Sequence, residues 1–327
     1  MSYAQDTYSL VADIGGTNTR VALAHGANVI EQSIRRYRNS EFDGLEPVLK
    51  QYILDENDVK PVAACVAVAG PVADGKATMT NLDWAIDEPT LAHATNAKTV
   101  AIINDLQAQG HALGLIAPEN LRSIAQTANS NPEATKLVVG IGTGFNAATV
   151  YELGNDRLVT PSESGHANLP VMNETGLALS NYIAEKHGFA AVEDVLSGRG
   201  LEQIYAFLSH RDGSENSLPG QDIMLACANG SDPRAIEAAT VFAQMLGTVC
   251  GNLALIHLPM GGISLVGGMA RAITPFLADF GFHDAFRAKG RFFDLVDKIS
   301  INVVEDDYAA LTGSSAFLAM LLARDSS

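Results

Sequence analysis

Two short stretches of the chain combine closely spaced glycines with polar groups. The first reads Asp13-Ile14-Gly15-Gly16-Thr17-Asn18 and lies between apolar runs at residues 8–14 and 21–24. Gly accepts a positive φ without steric cost and Asn tolerates it, so this pattern predicts two strands joined by a tight turn. Such a turn leaves backbone N–H groups uncovered, and a phosphate oxygen can approach them closely. Asp13 is then well placed to hold a metal-bound water beside the phosphate, and Thr17 adds a hydroxyl donor.

The second stretch, Gly142-Thr143-Gly144-Phe145-Asn146, repeats this pattern between apolar runs at residues 137–141 and 147–150. A chain with two such hairpins can bind a polyphosphate from two sides. Neither stretch is a Walker loop, which needs Gly-Lys-Ser/Thr, or a dinucleotide-binding Gly-x-Gly-x-x-Gly motif. Two ordinary glycine hairpins are the alternative at this point, because short glycine motifs often match by chance.

Further acidic groups stand where strand patterns end or in polar loops. Asp105 follows a strand pattern at residues 99–104, and open α/β sheets bind ligands at the carboxyl ends of strands. Asp105 either caps the helix predicted at residues 106–115 or acts as a general base toward a hydroxyl that attacks phosphorus. Glu163 and His166 lie in a polar loop, where a solvated acid and an ordinary histidine are the alternative. They do not complete a zinc site, because no cysteine lies nearby.

Strand and helix patterns alternate along the chain, which favours an α/β architecture. Residues 62–70 are small and apolar, as in a strand covered on both faces. Ser231-Asp232-Pro233 begins a long apolar helix with a capping residue and a proline in the first turn. Residues 261–266 form a strand pattern that ends at Gly267-Gly268. A last helix at residues 308–322 is expected to pack on the first domain.

Composition limits the possible functions. The chain has 327 residues, 47% of them apolar, which predicts a large core and two domains. Its net charge of −16 disfavours nucleic acid and acidic membranes as partners. An anionic substrate must therefore be bound by local hydrogen-bond donors and a metal ion. Three widely spaced cysteines, Cys65, Cys227 and Cys250, are expected to be buried thiols in a reducing compartment.

Residues 238–270 contain no Asp, Glu, Lys or Arg, and this run exceeds the roughly 20 residues that span a membrane. Polar residues, a proline and several glycines interrupt the run, so we expect a buried helix followed by a buried strand. The first residues show no basic segment followed by an apolar one, and hence no signal peptide is expected. We therefore predict a soluble, cytoplasmic protein.

The order and spacing of several motifs resemble those of bacterial glucokinase, a member of the actin, hexokinase and heat-shock-70 ATPase superfamily. The resemblance runs nearly end to end. It is carried by Asp13-Ile14-Gly15-Gly16-Thr17-Asn18-Thr19-Arg20, Asn104-Asp105, Gly142-Thr143-Gly144, Glu163-Ser164-Gly165-His166, residues 193–198 and residues 281–314 around Lys289-Gly290-Arg291-Phe292. It implies an α/β, two-domain actin-like ATPase fold (ribonuclease H-like) with an interdomain cleft. The predicted small domain comprises residues 1–110 plus 301–327, and the large domain residues 111–300.

The resemblance also implies an activity, ATP-dependent phosphorylation of glucose at its 6-hydroxyl, and a role for each matching residue. Asp105 is the implied catalytic base and contacts the sugar. The other implied sugar-binding residues are Asn104, Glu163, His166 and Glu193. The implied ATP-binding residues are Asp13, Gly15, Gly16, Thr17, Asn18, Gly142, Thr143, Gly144, Gly267 and Gly268. Mg²⁺ would be held by Asp13 through a water molecule, and a homodimer is expected.

The sequence departs from this family pattern in two places. Phe145-Asn146 stands where Leu-Gly is usual, so that a side chain at 146 either narrows the phosphate site or donates its amide to a phosphate. Thr160-Pro161-Ser162 precedes Glu163 where Pro-Gly is common. The related repressor and kinase family carries a cysteine-rich zinc motif after the equivalent histidine, and this chain lacks one. A glucose-binding sensor with little turnover, and a kinase for another hexose or amino sugar, are the alternative functions.

Overall fold

The computed structural model of the protein describes residues 8–79, 82–126, 131–154 and 156–325. The strands are β1 (Ser9–Ile14), β2 (Asn18–His25), β3 (Asn28–Val29), β4 (Arg35–Arg38), β5 (Ala63–Val68), β6 (Val72–Ala73), β7 (Lys76–Met79), β8 (Leu82–Asp87), β9 (Thr99–Asn104), β10 (Leu121–Ala125), β11 (Lys136–Ile141), β12 (Phe145–Leu153), β13 (Asp156–Thr160), β14 (Ile263–Val266) and β15 (Ile301–Val304). The helices are α1 (Leu45–Asp55), α2 (Glu88–Thr95), α3 (Asp105–Ala112), α4 (Glu174–His187), α5 (Gly198–Arg211), α6 (Gly220–Asn229), α7 (Pro233–His257), α8 (Gly268–Ile273), α9 (Phe282–Arg287), α10 (Phe293–Val296) and α11 (Ala309–Asp325).

The chain forms two compact units. Unit one comprises Met1–Ala117, Leu153–Pro161 and Asp306–Ser327, and unit two comprises Pro118–Glu152 and Ser162–Glu305. The segment Leu153–Pro161 groups with unit one because its strand β13 packs on α3. There the Arg157 guanidinium donates to carbonyls at the end of that helix, including that of His111 at 2.9 Å.

Unit one is built on a sheet with strand order β3-β2-β1-β5-β9, and β4 adds to β2. The central strands β1, β5 and β9 are parallel, with Ile14 beside Val68 and Val68 beside Asn104. Their residues are small and apolar, and buried side chains cover both faces. Helices α1 and α2 lie on one face, and α3 and α11 lie on the other. The carboxyl ends of the three strands therefore meet at one edge, as ligand-binding α/β sheets require.

Unit two repeats this plan. Its strands lie in the order β10-β15-β14-β11-β12, of which β11, β14 and β15 are parallel. The parallel register sets Val139 beside Leu265 and Leu265 beside Val303, so the turns after β11 and β14 leave the same edge of the sheet. A large core of apolar side chains from this sheet and the surrounding helices stabilises the unit.

Helix α7 and strand β14 account for the long uncharged run, as predicted. Asp232 caps the helix by accepting a hydrogen bond from the Arg234 N–H, and Pro233 occupies its first position. This helix is long and apolar enough to cross a membrane by length and composition, but 67% of its most apolar window is buried inside the structure. It is therefore the core helix expected from the sequence. All three cysteines are also buried, as predicted.

Two elements differ from the sequence prediction. Residues 118–136 are rich in Asn, Ala, Thr and Ser and contain two prolines, which predicts a surface connection. The structure instead places the strand β10 there, paired antiparallel with β15; residues 127–130 lie outside the described part. This strand is mostly exposed, so backbone pairing rather than an apolar pattern defines it. The apolar spacing predicts a helix over residues 192–208 that is kinked or restarted at residues 197–200. The helix α5 begins at Gly198, within that predicted restart, and Ser197 caps it by accepting a bond from the Gly200 N–H, so that only the part before Ser197 is not helical.

Replacing Gly313 with alanine is expected to destabilise unit one by about 3 kcal/mol. An added Cβ would lie 1.6 Å from the Ala108 carbonyl oxygen, so α11 and α3 would have to separate. Gly176→Ala in α4 is the matched control, because its Cβ meets the nearest atom, Asn173 Oδ1, at 3.4 Å and alanine is the better helix former. Urea unfolding of both variants tests this, and equal midpoints would contradict it.

Candidate active site

Unit one places Asp13 and the first turn, defined as residues 15–18, at the carboxyl edge of its sheet. The Gly15 N–H donates to the Asn18 carbonyl at 3.0 Å and closes the turn between β1 and β2. Asp13 pairs across the two strands with Arg20, whose Nη1 lies 3.1 Å from Asp13 Oδ2. Burial raises the pKa of Asp13, and the Arg20 guanidinium offsets part of that rise. Its carboxylate is thus held in place beside the turn.

Asn104, at the end of β9, is the residue that caps helix α3. Its Oδ1 accepts from the Leu106 N–H at 2.9 Å, and its own N–H donates to Gln107 Oε1 at 3.1 Å, which forms a capping box. Its Nδ2 donates to the Gly70 carbonyl at 2.9 Å. The alternative in which Asp105 is the cap is therefore wrong. Asp105 is instead the first residue of the helix.

The environment of Asp105 raises its pKa to about 7. Burial is the larger cause, and the negative charge of Asp13 adds to it, since β1 and β9 flank β5 and end at the same edge. The Leu106 N–H, which donates to Asp105 Oδ1 at 2.8 Å, opposes the shift. A carboxylate with a pKa near neutrality can accept a proton at physiological pH, as a general base must.

In unit two the second turn, defined as residues 142–144, follows β11. The Gly142 N–H donates to the Gly144 carbonyl at 2.9 Å, and the Gly198 N–H at the start of α5 donates to the Gly142 carbonyl at 2.8 Å. The Phe145 N–H donates to Glu193 Oε2 at 2.9 Å. The segment around residues 193–198 therefore packs directly against the second turn.

The glycine pair after β14 lies beside this turn. Gly267 has a φ of 104°, and a Cβ there would lie 2.4 Å from the Ile141 carbonyl oxygen, so both the backbone and the packing require glycine. A Cβ on Gly268 would meet no described atom within 4 Å. The backbone of the turn thus explains why residue 267 is glycine. The absence of a side chain at Gly268, in contrast, leaves space for a ligand.

Glu163 and His166 lie in the 162–166 loop, which packs on the start of β12. A Cβ on Gly165 would lie 2.0 Å from the Phe145 carbonyl oxygen, and the Gly165 carbonyl accepts from the Glu193 N–H at 2.9 Å. The loop therefore contacts Glu193 as well as the second turn. Glu163 and His166 are exposed, and Glu193 is partly buried, with Arg199 3.5 Å from its Oε1.

The predicted site residues thus form two groups, each at one sheet edge. The group in unit one consists of Asp13, Gly15, Gly16, Thr17, Asn18, Asn104 and Asp105. The group in unit two consists of Gly142, Thr143, Gly144, Glu163, His166, Glu193, Gly267 and Gly268. Each group combines backbone turns that can bind phosphate with at least one carboxylate.

Comparison with known proteins places this arrangement in a family. The family model described as Glucokinase matches residues 10–321. A Nostoc glucokinase is 32% identical over 96% of this chain and 100% of its own length, and a Rhizobium johnstonii glucokinase is 31% identical over 95% and 91%. The chain belongs to the glucokinase family.

A solved structure of a glucokinase supports the fold. The crystal structure of a glucokinase from an Antarctic psychrotroph superposes with a TM-score of 0.86 at 27% identity, over 96% of this chain and 99% of that one. The predicted α/β, two-domain actin-like fold and the resemblance to bacterial glucokinase are therefore confirmed.

One residue that contacts the first turn was not found from the sequence. Asn39, which is 2% exposed, makes two hydrogen bonds to the first turn and one to Thr19, the residue that follows the turn. Its Nδ2 donates to the Gly15 carbonyl at 2.7 Å, its N–H donates to the Thr17 carbonyl at 2.9 Å, and its Oδ1 accepts from Thr19 Oγ1 at 2.8 Å. Asn39 reaches the turn because β4 pairs with β2. No local pattern around residue 39 indicates this pairing.

Proposed function

We propose that this glucokinase-family protein transfers the γ-phosphoryl group of ATP to the 6-hydroxyl of glucose and releases ADP, with Asp105 as the general base. The supporting observation is the Asp105 carboxylate at the carboxyl end of the parallel strands, with its pKa raised to about 7. A protein that only senses glucose needs no such base, and the family membership favours the kinase.

In this mechanism Asp105 accepts the proton of the 6-hydroxyl while the sugar oxygen attacks the γ-phosphorus. The bond between that phosphorus and the bridging oxygen breaks, and ADP carries away the electron pair. Phosphoryl transfer has a loose transition state, so positioning and charge stabilisation contribute most of the catalysis. Asp105 serves both purposes, because it orients the hydroxyl and removes its proton.

The sugar is recognised through directional hydrogen bonds to its hydroxyl groups. The Asn104 amide and the side chains of Glu163, His166 and Glu193 pair with separate hydroxyls. Carboxylates accept, whereas the amide N–H donates, so each side chain matches one orientation of one hydroxyl. A sugar that lacks the hydroxyl leaves a polar group unpaired, which is why such sites reject analogues strongly.

The phosphates are bound mainly by backbone groups. The Gly15 and Gly142 N–H groups donate within their own turns, so the remaining N–H groups of the two turns and that of Gly268 are the donors for phosphate. Thr17 and Thr143 add hydroxyls. Local donors of this kind are needed because the net charge of −16 provides no attraction for ATP. The absence of a side chain at Gly268 leaves room for the adenosine.

The donor set fits Mg²⁺ that arrives with ATP. Among the described residues, no group of three or more His, Cys, Asp or Glu side chains could hold a metal by itself. Mg²⁺ commonly takes one or two carboxylates and completes its shell with phosphate oxygens and water, and Asp13 supplies such a carboxylate beside the first turn. When bound, the ion neutralises charge on the transferring phosphoryl group. Asp13 would then hold the ion through one of its water molecules.

We propose further that the protein is a cytoplasmic homodimer, the commonest assembly of soluble enzymes. Sedimentation of the purified protein should then give a mass of twice 34.5 kDa. A single species at 34.5 kDa would contradict the dimer.

The decisive experiment measures ADP release with Mg-ATP and a panel of hexoses and amino sugars. We expect glucose to drive turnover, with glucose 6-phosphate as product. Faster turnover of another sugar would identify a different sugar kinase. Glucose binding by calorimetry without ADP release would instead support the sensor.

Replacing Asn39 with alanine is expected to raise the KM for ATP about tenfold, because the first turn and the adjacent Thr19 each lose a hydrogen bond to the Asn39 side chain, whereas the backbone bond to the Thr17 carbonyl remains. Ser33→Ala is the matched control. The Ser33 hydroxyl is also buried, and it accepts from the Leu23 N–H of β2, the strand that contains Thr19. This contact is far from the first turn. Steady-state kinetics should show a changed KM for ATP only in the Asn39 variant. An equal change in both would reduce Asn39 to a role in stability.

A further inference from the structure

Asn146 departs from the family pattern, and the structure shows what its side chain contacts. Its backbone belongs to β12, opposite Gly140 on β11. Its side chain turns to the 162–166 loop rather than to the second turn. Oδ1 lies 3.0 Å from the Ser164 nitrogen, 3.1 Å from Ser164 Oγ and 3.0 Å from Ser162 Oγ, and Nδ2 donates to the Ser162 carbonyl.

These contacts bracket Glu163. The Ser162 carbonyl belongs to the peptide group before Glu163, and the Ser164 N–H belongs to the peptide group after it. One amide side chain therefore fixes both peptide groups that determine the backbone angles of Glu163. Those angles are −126° for φ and 49° for ψ, which is neither helical nor extended, so no regular secondary structure holds the residue there.

The rest of the loop is anchored on the side away from Ser162. The Gly165 carbonyl accepts from the Glu193 N–H, and the His166 N–H donates to the Glu163 carbonyl at 3.1 Å. On the other side of Glu163, the Ser162 hydroxyl reaches the Ala147 carbonyl of β12 at 2.5 Å. Asn146 is the residue that joins the two parts, because it contacts both Ser162 and Ser164.

We propose that Asn146 is a positioning residue for Glu163 and thereby sets the affinity for glucose rather than for ATP. The inference rests on the proposed function, in which Glu163 binds a sugar hydroxyl. The Oδ1 atom accepts from the Ala147 N–H of its own strand and from the Ser164 N–H of the loop, and Nδ2 donates to a carbonyl of the same loop. Neither a narrowed phosphate site nor an amide donated to phosphate is needed to explain a side chain at 146.

Replacing Asn146 with alanine is expected to raise the KM for glucose about tenfold and to change the KM for ATP less than about twofold. The matched control is Asn173→Ala. Asn173 caps α4 in the same unit and also bonds a backbone N–H, that of Gly176 at 2.8 Å. Both variants should lose thermal stability, but only Asn146→Ala should change the KM for glucose. Equal KM values for glucose in the two variants would overturn the proposal, as would an increase in the KM for ATP alone.

A double-mutant cycle with Glu163→Gln tests whether Asn146 acts through Glu163. If it does, adding Asn146→Ala to Glu163→Gln should change the KM for glucose much less than in the parent, because the contact to be positioned is already weakened. Independent, multiplicative effects would overturn the inference. If Glu163→Gln alone leaves the KM for glucose unchanged, the sugar-binding role in the proposed function fails. If only Asn146→Ala has no effect, this inference fails by itself.

Discussion

Asp105→Asn is expected to lower kcat by at least about a thousandfold while glucose still binds. The amide has nearly the shape of the carboxylate and can still contact the sugar, but it cannot accept the proton of the 6-hydroxyl. Single-turnover ADP release should show the loss in the chemical step, and calorimetry should show retained glucose affinity.

The matched control for this substitution is Asp87→Asn. Asp87 belongs to the same unit and caps α2 by accepting from the Thr90 N–H at 2.8 Å. Asn caps helices about as well as Asp, so this variant should keep the parent kcat. If Asp105→Asn retains more than about a tenth of the parent kcat, Asp105 is not the base.

The second large effect is the dependence of activity on pH. Burial and the Asp13 carboxylate raise the pKa of Asp105 to about 7, and only the deprotonated form can act as a base. We therefore expect kcat/KM to fall about tenfold for each pH unit below 7 and to reach a plateau above it. Kinetics between pH 5 and 9 test this. A profile that stays flat down to pH 5 would mean that Asp105 titrates near its usual value of 3.8.

The raised pKa of Asp105 also affects the stability of the folded protein. This effect favours low pH, whereas activity favours high pH. Because the folded state binds the Asp105 proton more tightly than the unfolded state, this stabilisation is complete below about 3.8 and is lost as the pH rises through about 7. Asn stays neutral at every pH. Asp105→Asn should therefore be more stable than the parent at pH 8, by an amount on the order of 3 kcal/mol. A parent as stable as the variant at that pH would contradict the shift.

Much of the fold was accessible from local sequence patterns. The bounds of β9, residues 99–104, were predicted to the residue, because a short apolar run between polar residues defines a buried parallel strand. The capping residue and the proline at the start of α7 act within one helical turn, so the start of this helix could also be predicted from the sequence. Both glycine turns lie between the strands predicted for them.

The features that were missed depend on residues far apart in the chain. Strand β10 exists because it pairs with β15, and its exposed side chains carry little pattern. Asn39 reaches Gly15 across 24 positions of sequence, and Arg157 reaches His111 across 46. The direction of the Asn146 side chain likewise depends on Ser162 and Ser164. Individual roles in catalysis and binding stay predictions, since they concern substrates.

The composition of unit one has a consequence for how the chain folds during synthesis. Helix α11 packs on α3 and on the strands β1 and β5, and the Ser315 hydroxyl donates to the Gly26 carbonyl across 289 positions of sequence. The first 117 residues therefore leave the ribosome long before the helix that completes their core. Unit two ends at Glu305, so all of its residues are synthesised before helix α11. We expect unit two to fold first on the ribosome, and unit one to remain dependent on chaperones until residues 306–325 emerge.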